Sequence, residues 1–375
     1  MTAQSNAKGL EGVVASETSL SFIDGQEGIL VYRGYDIHDL APHASFLESV
    51  FLLWNGRLPT RGELSSFEAE IAGQRGLDPT TIDVLRRLPS DTTPMAALRT
   101  AASVEGTTDP DAEDNSAEAN LRKAKRLVAR FPTMIAAYHR LRGGAEPLDP
   151  DASLGHAADF VRMANGEPGT DEAAAALDRT LLLYLDHGFN ASTFACRVIA
   201  ATLGDMHSAV VGGVGALKGS LHGGANAKAM EMLLEIGELE HAGPFLDSAF
   251  AEKRKIMGFG HRVYKTEDPR ATHLREMSGE LTRQAGLEKY YEISRYLEDR
   301  ITGEKGIRPN VDFYCATVYY SLGLPIDLYT PIFAMGRIGG WSGHVMEQHA
   351  DNRLIRPRAR YVGEMDRSWV PIDER

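Results

Sequence analysis

Short-range alternation of apolar and polar positions is confined to one stretch near the start of this chain. Between residues 16 and 34, Leu20, Phe22, Ile23, Ile29 and Val31 stand among Gly25, Gly28 and Gly34, which predicts one or two small strands with turns. After Asp36 the spacing changes to the helical period. Phe46, Val50, Phe51, Leu53 and Trp54 fit a helix ending at Asn55-Gly56, and Leu58-Pro59-Thr60 starts another over 63–75. The same period predicts helices over 81–87, 95–104, 118–143, 153–164, 171–184, 192–203, 225–240, 269–285, 290–303, 311–322 and 331–352. Stretches 106–117 and 143–151, rich in Asp and Pro, carry no chemical motif and read as exposed connections. The expected class is all-α with a minor N-terminal β element.

The length of 375 residues allows a large core and about two domains. Composition marks no seam, but the most distinctive motifs cluster late. We expect a smaller helical domain over 223–322, packed on a larger one made of 1–222 and 323–375. Acidic residues (52) outnumber basic ones (40), and the net charge of −12 argues against a nucleic-acid partner. Positive charge is local instead: Lys253, Arg254, Lys255, Arg262, Lys265, Arg270 and Arg275 lie close together with only Glu267 and Asp268 to offset them. Such a cluster is often a solvated face; around a Gly-x-Gly-His turn it suggests an anion site. The two cysteines, Cys196 and Cys315, are far apart and indicate neither a metal site nor a disulfide framework. The polar opening, residues 1–12, has no signal-peptide core, and no apolar run is long enough to span a membrane, so a cytoplasmic protein is expected.

Three short frames carry candidate chemistry. Gly219-Ser220-Leu221-His222-Gly223-Gly224 places an imidazole on a glycine turn before a helical pattern. There the helix dipole favours the neutral ring, whose N–H can donate to a developing enolate; a histidine that merely hydrogen-bonds a helix start is the open alternative. His261 follows Gly258-Phe259-Gly260, whose backbone N–H groups could meet a phosphate or an adenine edge, or form only a surface turn. Asp312, after Pro309-Asn310-Val311, reads either as a helix cap or, if buried, as a base of raised pKa. Arg337 interrupts an apolar helix among small residues, which suggests a buried anion or an ion pair. His187 could equally be a satisfied core histidine, and Arg356 alone is part of a basic tail.

Together these frames resemble the citrate synthase family. The resemblance runs from Ile23-Asp24-Gly25 and Tyr32-Arg33-Gly34-Tyr35, through Pro94-Met95, Leu98-Arg99 and Gly215-Ala216-Leu217-Lys218-Gly219, to Glu347-Gln348 and Arg356-Pro357. It implies a helical homodimer in which each subunit closes a cleft between two domains. It implies that Asp312 deprotonates an acyl-CoA thioester, His222 hydrogen-bonds the thioester oxygen, and His261 protonates the ketone of oxaloacetate. By the same resemblance His187, Arg270, Arg337 and Arg356 hold oxaloacetate, with Arg356 supplied by the partner subunit, and Phe333 lines the acyl pocket. Lys255, Ile256, Met257, Gly258, Phe259 and Gly260 match the loop that meets coenzyme A, and Lys265 matches a phosphate contact. No permanently bound cofactor or metal is implied; the CoA thioester is a co-substrate. Departures fall at Cys315, at Ala227-Lys228 and at His207. The extra N-terminal region of the hexameric, NADH-inhibited members is not seen, so that regulation is not expected. Enzymes making citrate from acetyl-CoA and 2-methylcitrate from propionyl-CoA share all of these motifs.

Overall fold

The structure, a computed structural model, describes residues 8–375; residues 1–7, part of the polar opening stretch, lie outside it. After a short 3-10 turn (Lys8–Leu10) comes a three-stranded antiparallel sheet, β1 (Ser21–Asp24), β2 (Ile29–Tyr32) and β3 (Tyr35–Asp36), with Ser21 opposite Tyr32 and Val31 opposite Asp36. Asp24 makes the first turn, its Oδ1 accepting from the N–H groups of Gln26 (2.8 Å) and Glu27 (3.0 Å). Helices follow: α1 (Ile37–His43), α2 (Phe46–Asn55), α3 (Arg61–Ala72), α4 (Pro79–Arg87), α5 (Pro94–Thr108), α6 (Ala117–Arg142), α7 (His156–Asn165), α8 (Asp171–Tyr184), α9 (Ala191–Ala200) and α10 (Met206–Leu217). Then come α11 (Ala225–Ile236), α12 (Leu239–Ala251), α13 (Pro269–Gln284), α14 (Glu288–Lys305), α15 (Val311–Ser321) and α16 (Tyr329–Ala350). The class is all-α with a minor sheet, as the periodicity predicted.

Local chemistry explains most boundaries. Ser45 and Thr60 form capping boxes with Glu48 and Glu63, so α2 and α3 start where a hydroxyl satisfies the free N–H of the first turn. Gly56, at φ 73°, ends α2 as expected. The periodicity missed α1, α10 and α12. Helix α10 contains Gly212, Gly213 and Gly215, which read as a breaker. They serve packing instead, because a Cβ at Gly212 would lie 2.3 Å from Ile199 Cδ1 and one at Gly213 2.6 Å from Cys196 Sγ. The pattern over 225–240 is two helices, since Gly237 at φ 71° stops α11 and α12 restarts at Leu239. Pro244 lies inside α12 and gives up one intrahelical donor there.

The connection before α6 is not simply exposed. The Asp109 carboxylate is buried, taking Arg126 Nε (2.8 Å) and Nη2 (2.7 Å) and lying 3.0 Å from His207 Nε2. These partners hold Asp109 well below the usual carboxylate range against the cost of its burial.

Helix α16 is the axis of the larger part. Residues 331–345 are all buried, apolar around nearly the whole circumference, as befits a core helix. It packs on α2, α6, α8, α9 and α10. Helices α11–α15 pack mainly on one another, with α15 between α11 and α13. They meet the rest where α11 touches α16, where α13 and α15 touch α8, and where α1 touches α13. The first hairpin closes over the loop before α13. Lys265 N–H donates to Gly25 O (2.7 Å), and a Cβ at Gly25 would lie 2.3 Å from Val263 O.

Candidate active site

His222 lies in the turn joining α10 to α11. Its N–H and that of Gly223 both return to Gly219 O (2.9 and 3.1 Å). Gly223 is required, because a Cβ there would lie 2.1 Å from Leu217 O. The imidazole Nε2 accepts from the Ser192 N–H (3.2 Å) and lies 2.8 Å from Ser192 Oγ. That hydroxyl accepts from Trp341 Nε1 (3.1 Å) and donates its own proton to Asn190 Oδ1 (2.8 Å). The Ser192 backbone N–H makes Nε2 an acceptor, which puts the ring proton on Nδ1. Burial, helped by the Arg337 charge, pushes the pKa down to about 4. At neutral pH His222 is a neutral N–H donor.

His261 is fixed the opposite way round. Its Nδ1 accepts from the N–H groups of Val263 (3.0 Å) and Tyr264 (3.2 Å), which leaves the proton on Nε2. Its ring stands edge-on to His187 at 5.2 Å between centroids. Burial, and then Arg270, pushes its pKa down to about 4. His187 is buried, with Nε2 3.1 Å from the Tyr264 hydroxyl, and burial beside Arg270 holds it well below the usual range. The preceding Asp186 steadies this corner, accepting from Ser21 Oγ and lying 3.2 Å from His344 Nε2.

Asp312 is in the first turn of α15, but it does not cap the helix. Asn310 does, its side chain accepting the Asp312 N–H (3.0 Å). The Asp312 carboxylate is left for other use. Its Oδ1 accepts from the Tyr184 hydroxyl (3.2 Å), and burial pushes its pKa up to about 6 against the pull of Arg270 and Tyr184.

The Gly-Phe-Gly loop is not free to offer all its N–H groups to a phosphate. Gly260 N–H donates to Arg308 O (2.9 Å), Asn310 N–H to Gly258 O (2.9 Å), and Phe259 bridges Pro309. Asn310 Nδ2 also donates to Gly260 O (2.9 Å). Both glycines have φ near +80°, at 80° and 78°, and a Cβ on Gly258 would meet Phe313 at 2.8 Å. This ladder ties the frame of His261 to that of Asp312. Of the remaining loop residues, Lys255 is exposed, while Ile256 and Met257 pack against the core. Lys265 is exposed.

Two arginines supply the charge. Arg270 donates through Nε (2.9 Å) and Nη2 (2.8 Å) to buried Asp268, whose attraction outweighs burial and raises its pKa. Its Nη1 has no hydrogen-bond partner among the described residues. Arg337 is buried, with Nε on Tyr184 O (2.6 Å) and no carboxylate ion pair among the described residues. Gly340 allows that approach, since a Cβ there would lie 2.2 Å from Leu185 O as α16 crosses the end of α8. Phe333, one turn earlier, lies under the Arg337 guanidinium (4.8 Å) and against Tyr184 (4.1 Å). Arg337 lowers His222 and His187, and Arg270 lowers His261 and His187; both pull down Asp312. The expected catalytic and carboxylate-binding residues thus converge, except Arg356, which is exposed on the tail after α16.

The sequence reading missed Tyr184, Ser192, Tyr264 and Asp268. Only Asp268 left a signal, as Asp-Pro at a helix start. Among the described residues no group of three or more His, Cys, Asp or Glu is placed to hold a metal ion, and no helix is long and apolar enough to cross a membrane.

Known proteins are similar to this chain over nearly its whole length. The family profile "Citrate synthase, C-terminal domain" matches residues 9–358. Citrate synthase of Haloferax volcanii is 50% identical over 373 residues, covering 98% of each chain. A 2-methylcitrate synthase of Mycobacterium tuberculosis is 42% identical, covering 96% of this chain and 91% of its own. The solved ternary complex of Thermoplasma acidophilum citrate synthase with carboxymethyl coenzyme A and oxaloacetate superimposes with a TM-score of 0.92 at 35% identity, covering 98% of this chain and 99% of that one. The chain belongs to the citrate synthase family.

Proposed function

We propose that this protein condenses acetyl-CoA with oxaloacetate and water to give citrate and CoA. The observation that carries the reading is Arg337: a buried guanidinium with no carboxylate ion pair among the described residues, beside His222, His187 and Asp312, is a site built for an anion. The carboxylates of oxaloacetate sit on Arg337, the free edge of Arg270 and His187. Asp312, ionised above about pH 6, takes a methyl proton from the thioester. His222 Nδ1–H donates to the thioester oxygen as the enol forms. The enol carbon attacks the ketone of oxaloacetate, and His261 Nε2–H gives its proton to the new alkoxide. Bound carboxylates raise the proton affinity of a ring that is otherwise held neutral. Water then cleaves the citryl-CoA thioester. A thioester methyl is more than ~10 pKa units weaker an acid than Asp312, so a fixed donor to the enolate and exclusion of water must supply most of the barrier reduction.

The division into residues 223–322 against the rest is supported by α11–α15 packing on themselves, and closure of the smaller domain is the step that excludes water. The chain acts as a homodimer. Its tail exposes Leu354, Tyr361, Val362, Met365 and Trp369 beside Arg356, an apolar ribbon that a second subunit would cover while receiving Arg356. The 255–260 loop and Lys265 meet coenzyme A. Two buried, unpaired thiols suit the reducing cytoplasm.

Release of CoA thiol from acetyl-CoA and oxaloacetate tests the reading. Asp312→Ala should lose ~10²–10⁴-fold in turnover while still binding oxaloacetate; an active variant removes Asp312 from the mechanism. The 2-methylcitrate synthase relative makes propionyl-CoA the alternative acyl donor. One methyl is worth only ~1–3 kcal/mol, and a kcat/KM clearly higher for propionyl-CoA would replace the acetyl reading.

A further inference from the structure

We propose that Tyr184 is a positioning residue for the candidate base: its hydroxyl fixes the Asp312 carboxylate and favours the ionised form. This rests on Asp312 acting as the base. Tyr184 is the last residue of α8 and is fully buried. It serves two functional groups at once. Its carbonyl oxygen accepts Arg337 Nε (2.6 Å), and its hydroxyl donates to Asp312 Oδ1 (3.2 Å). Phe333 packs against the ring at 4.1 Å between centroids, and α16 runs close by the Tyr184 stem, since a Cβ at Gly336 would come within 3.0 Å of Tyr184 Cβ. One residue therefore sets the spacing between the cation for oxaloacetate and the base for the thioester.

The hydrogen bond also distinguishes the two carboxylate oxygens. Oδ1 is occupied by the phenol, whereas Oδ2 has no hydrogen-bond partner among the described residues. Oδ2 is the oxygen left to take the methyl proton. The other charged or titratable groups that bear on the carboxylate are Arg270 and Asp268 around the start of α13 and Arg337 on α16. On α15 itself, Cys315 and Tyr319 follow, both buried and near Tyr184. A hydroxyl that donates to the ionised carboxylate opposes the burial that would keep it protonated.

The test is the pH profile of kcat/KM for the full chain. In the unmodified enzyme the acid limb should fall near the value of about 6 for Asp312. Tyr184→Phe removes one charge-assisted hydrogen bond and should move that limb up by roughly 1 pH unit, so activity drops about fivefold at pH 6 and is retained at pH 9. Tyr319→Phe removes a nearby buried hydroxyl that has no hydrogen-bond partner among the described residues, and should leave the limb in place. Should Tyr184→Phe fold poorly, 3-fluorotyrosine at position 184, a stronger donor, should move the limb to lower pH. An unmoved limb in the Tyr184 variants, or the same shift in Tyr319→Phe, overturns the proposal. Failure of the underlying reading looks different: Asp312→Ala would keep its turnover.

Discussion

Replacing Arg337 with methionine should separate binding from folding. The guanidinium is 1% exposed, and Tyr184 O is its hydrogen-bond partner. Burial, with Arg270 adding repulsion and Asp186 partly offsetting it, pushes its pKa down from 12.5 to about 10. That difference corresponds to about 3 kcal/mol of cost to the charged form. For a cation held less tightly protonated when folded, the cost is fully present while both states are charged. It is therefore present at pH 7 and relieved only above about pH 10. Methionine removes the charge and keeps a flexible stem over Phe333. Burial outweighs the attraction of Asp186, and exchanging such a buried charge for an apolar side chain is often neutral or stabilising, so the ligand-free protein should unfold at the same temperature or higher. Oxaloacetate binding should suffer, because losing one partner of a buried charge pair costs ~2–5 kcal/mol, or at least ~30-fold in affinity. Thermal unfolding at fixed protein concentration, with and without oxaloacetate, reads both effects. Ligand at 100 times its Kd stabilises the unmodified protein by ~2.7 kcal/mol, and a site 30-fold weaker keeps only ~0.9 kcal/mol. A variant that melts early without ligand yet is stabilised normally by oxaloacetate would show that Arg337 serves the fold and not the substrate.

Ser192→Ala should lower kcat about tenfold with little change in KM for oxaloacetate, because the Ser192 hydroxyl, 2.8 Å from His222 Nε2 and anchored on Trp341 and Asn190, helps hold the ring in place; a matched loss in oxaloacetate binding would mean the serine only shapes the pocket. Mixed dimers of Arg356→Ala with His222→Ala should recover about a quarter of the unmodified activity, since half of randomly paired dimers carry one complete site. Parents and mixture that are all inactive would exclude exchange of Arg356 between subunits.

Helices and functional frames were not equally legible in the sequence. Helices with a clear polar face, such as α3 and α4, were readable because periodicity reports burial directly. Helices α10 and α12 were not, because Gly212, Gly213, Gly243 and Pro244 are breakers by intrinsic preference. Only contact with Ile199, Cys196 and Tyr296 explains why small residues stand there. The three catalytic frames stood out because acid–base chemistry at carbon needs uncommon residues in constrained backbone. Their supports did not. Tyr184, Ser192 and Asp268 are ordinary helix-end or capping residues until the chain brings them across to Asp312, His222 and Arg270.

The ladder between Gly258–Gly260 and Arg308–Asn310 gives that invisibility a mechanical meaning. His261 and Asp312 are about fifty positions apart, yet two backbone hydrogen bonds and the Asn310 amide join their frames. His222 enters from the turn before α11 and answers instead to Ser192 and Trp341 in the larger part. On the proposed roles, the proton acceptor and the donor to the ketone then move as one body, while the donor to the thioester is set from the other side. Relative motion between the two parts would change the Asp312–His222 separation without disturbing the Asp312–His261 one. Under the proposed mechanism enolisation, which needs the first pair aligned, is then the step most sensitive to closure, and the carbon–carbon bond inherits its geometry from the hydrogen-bonded ladder.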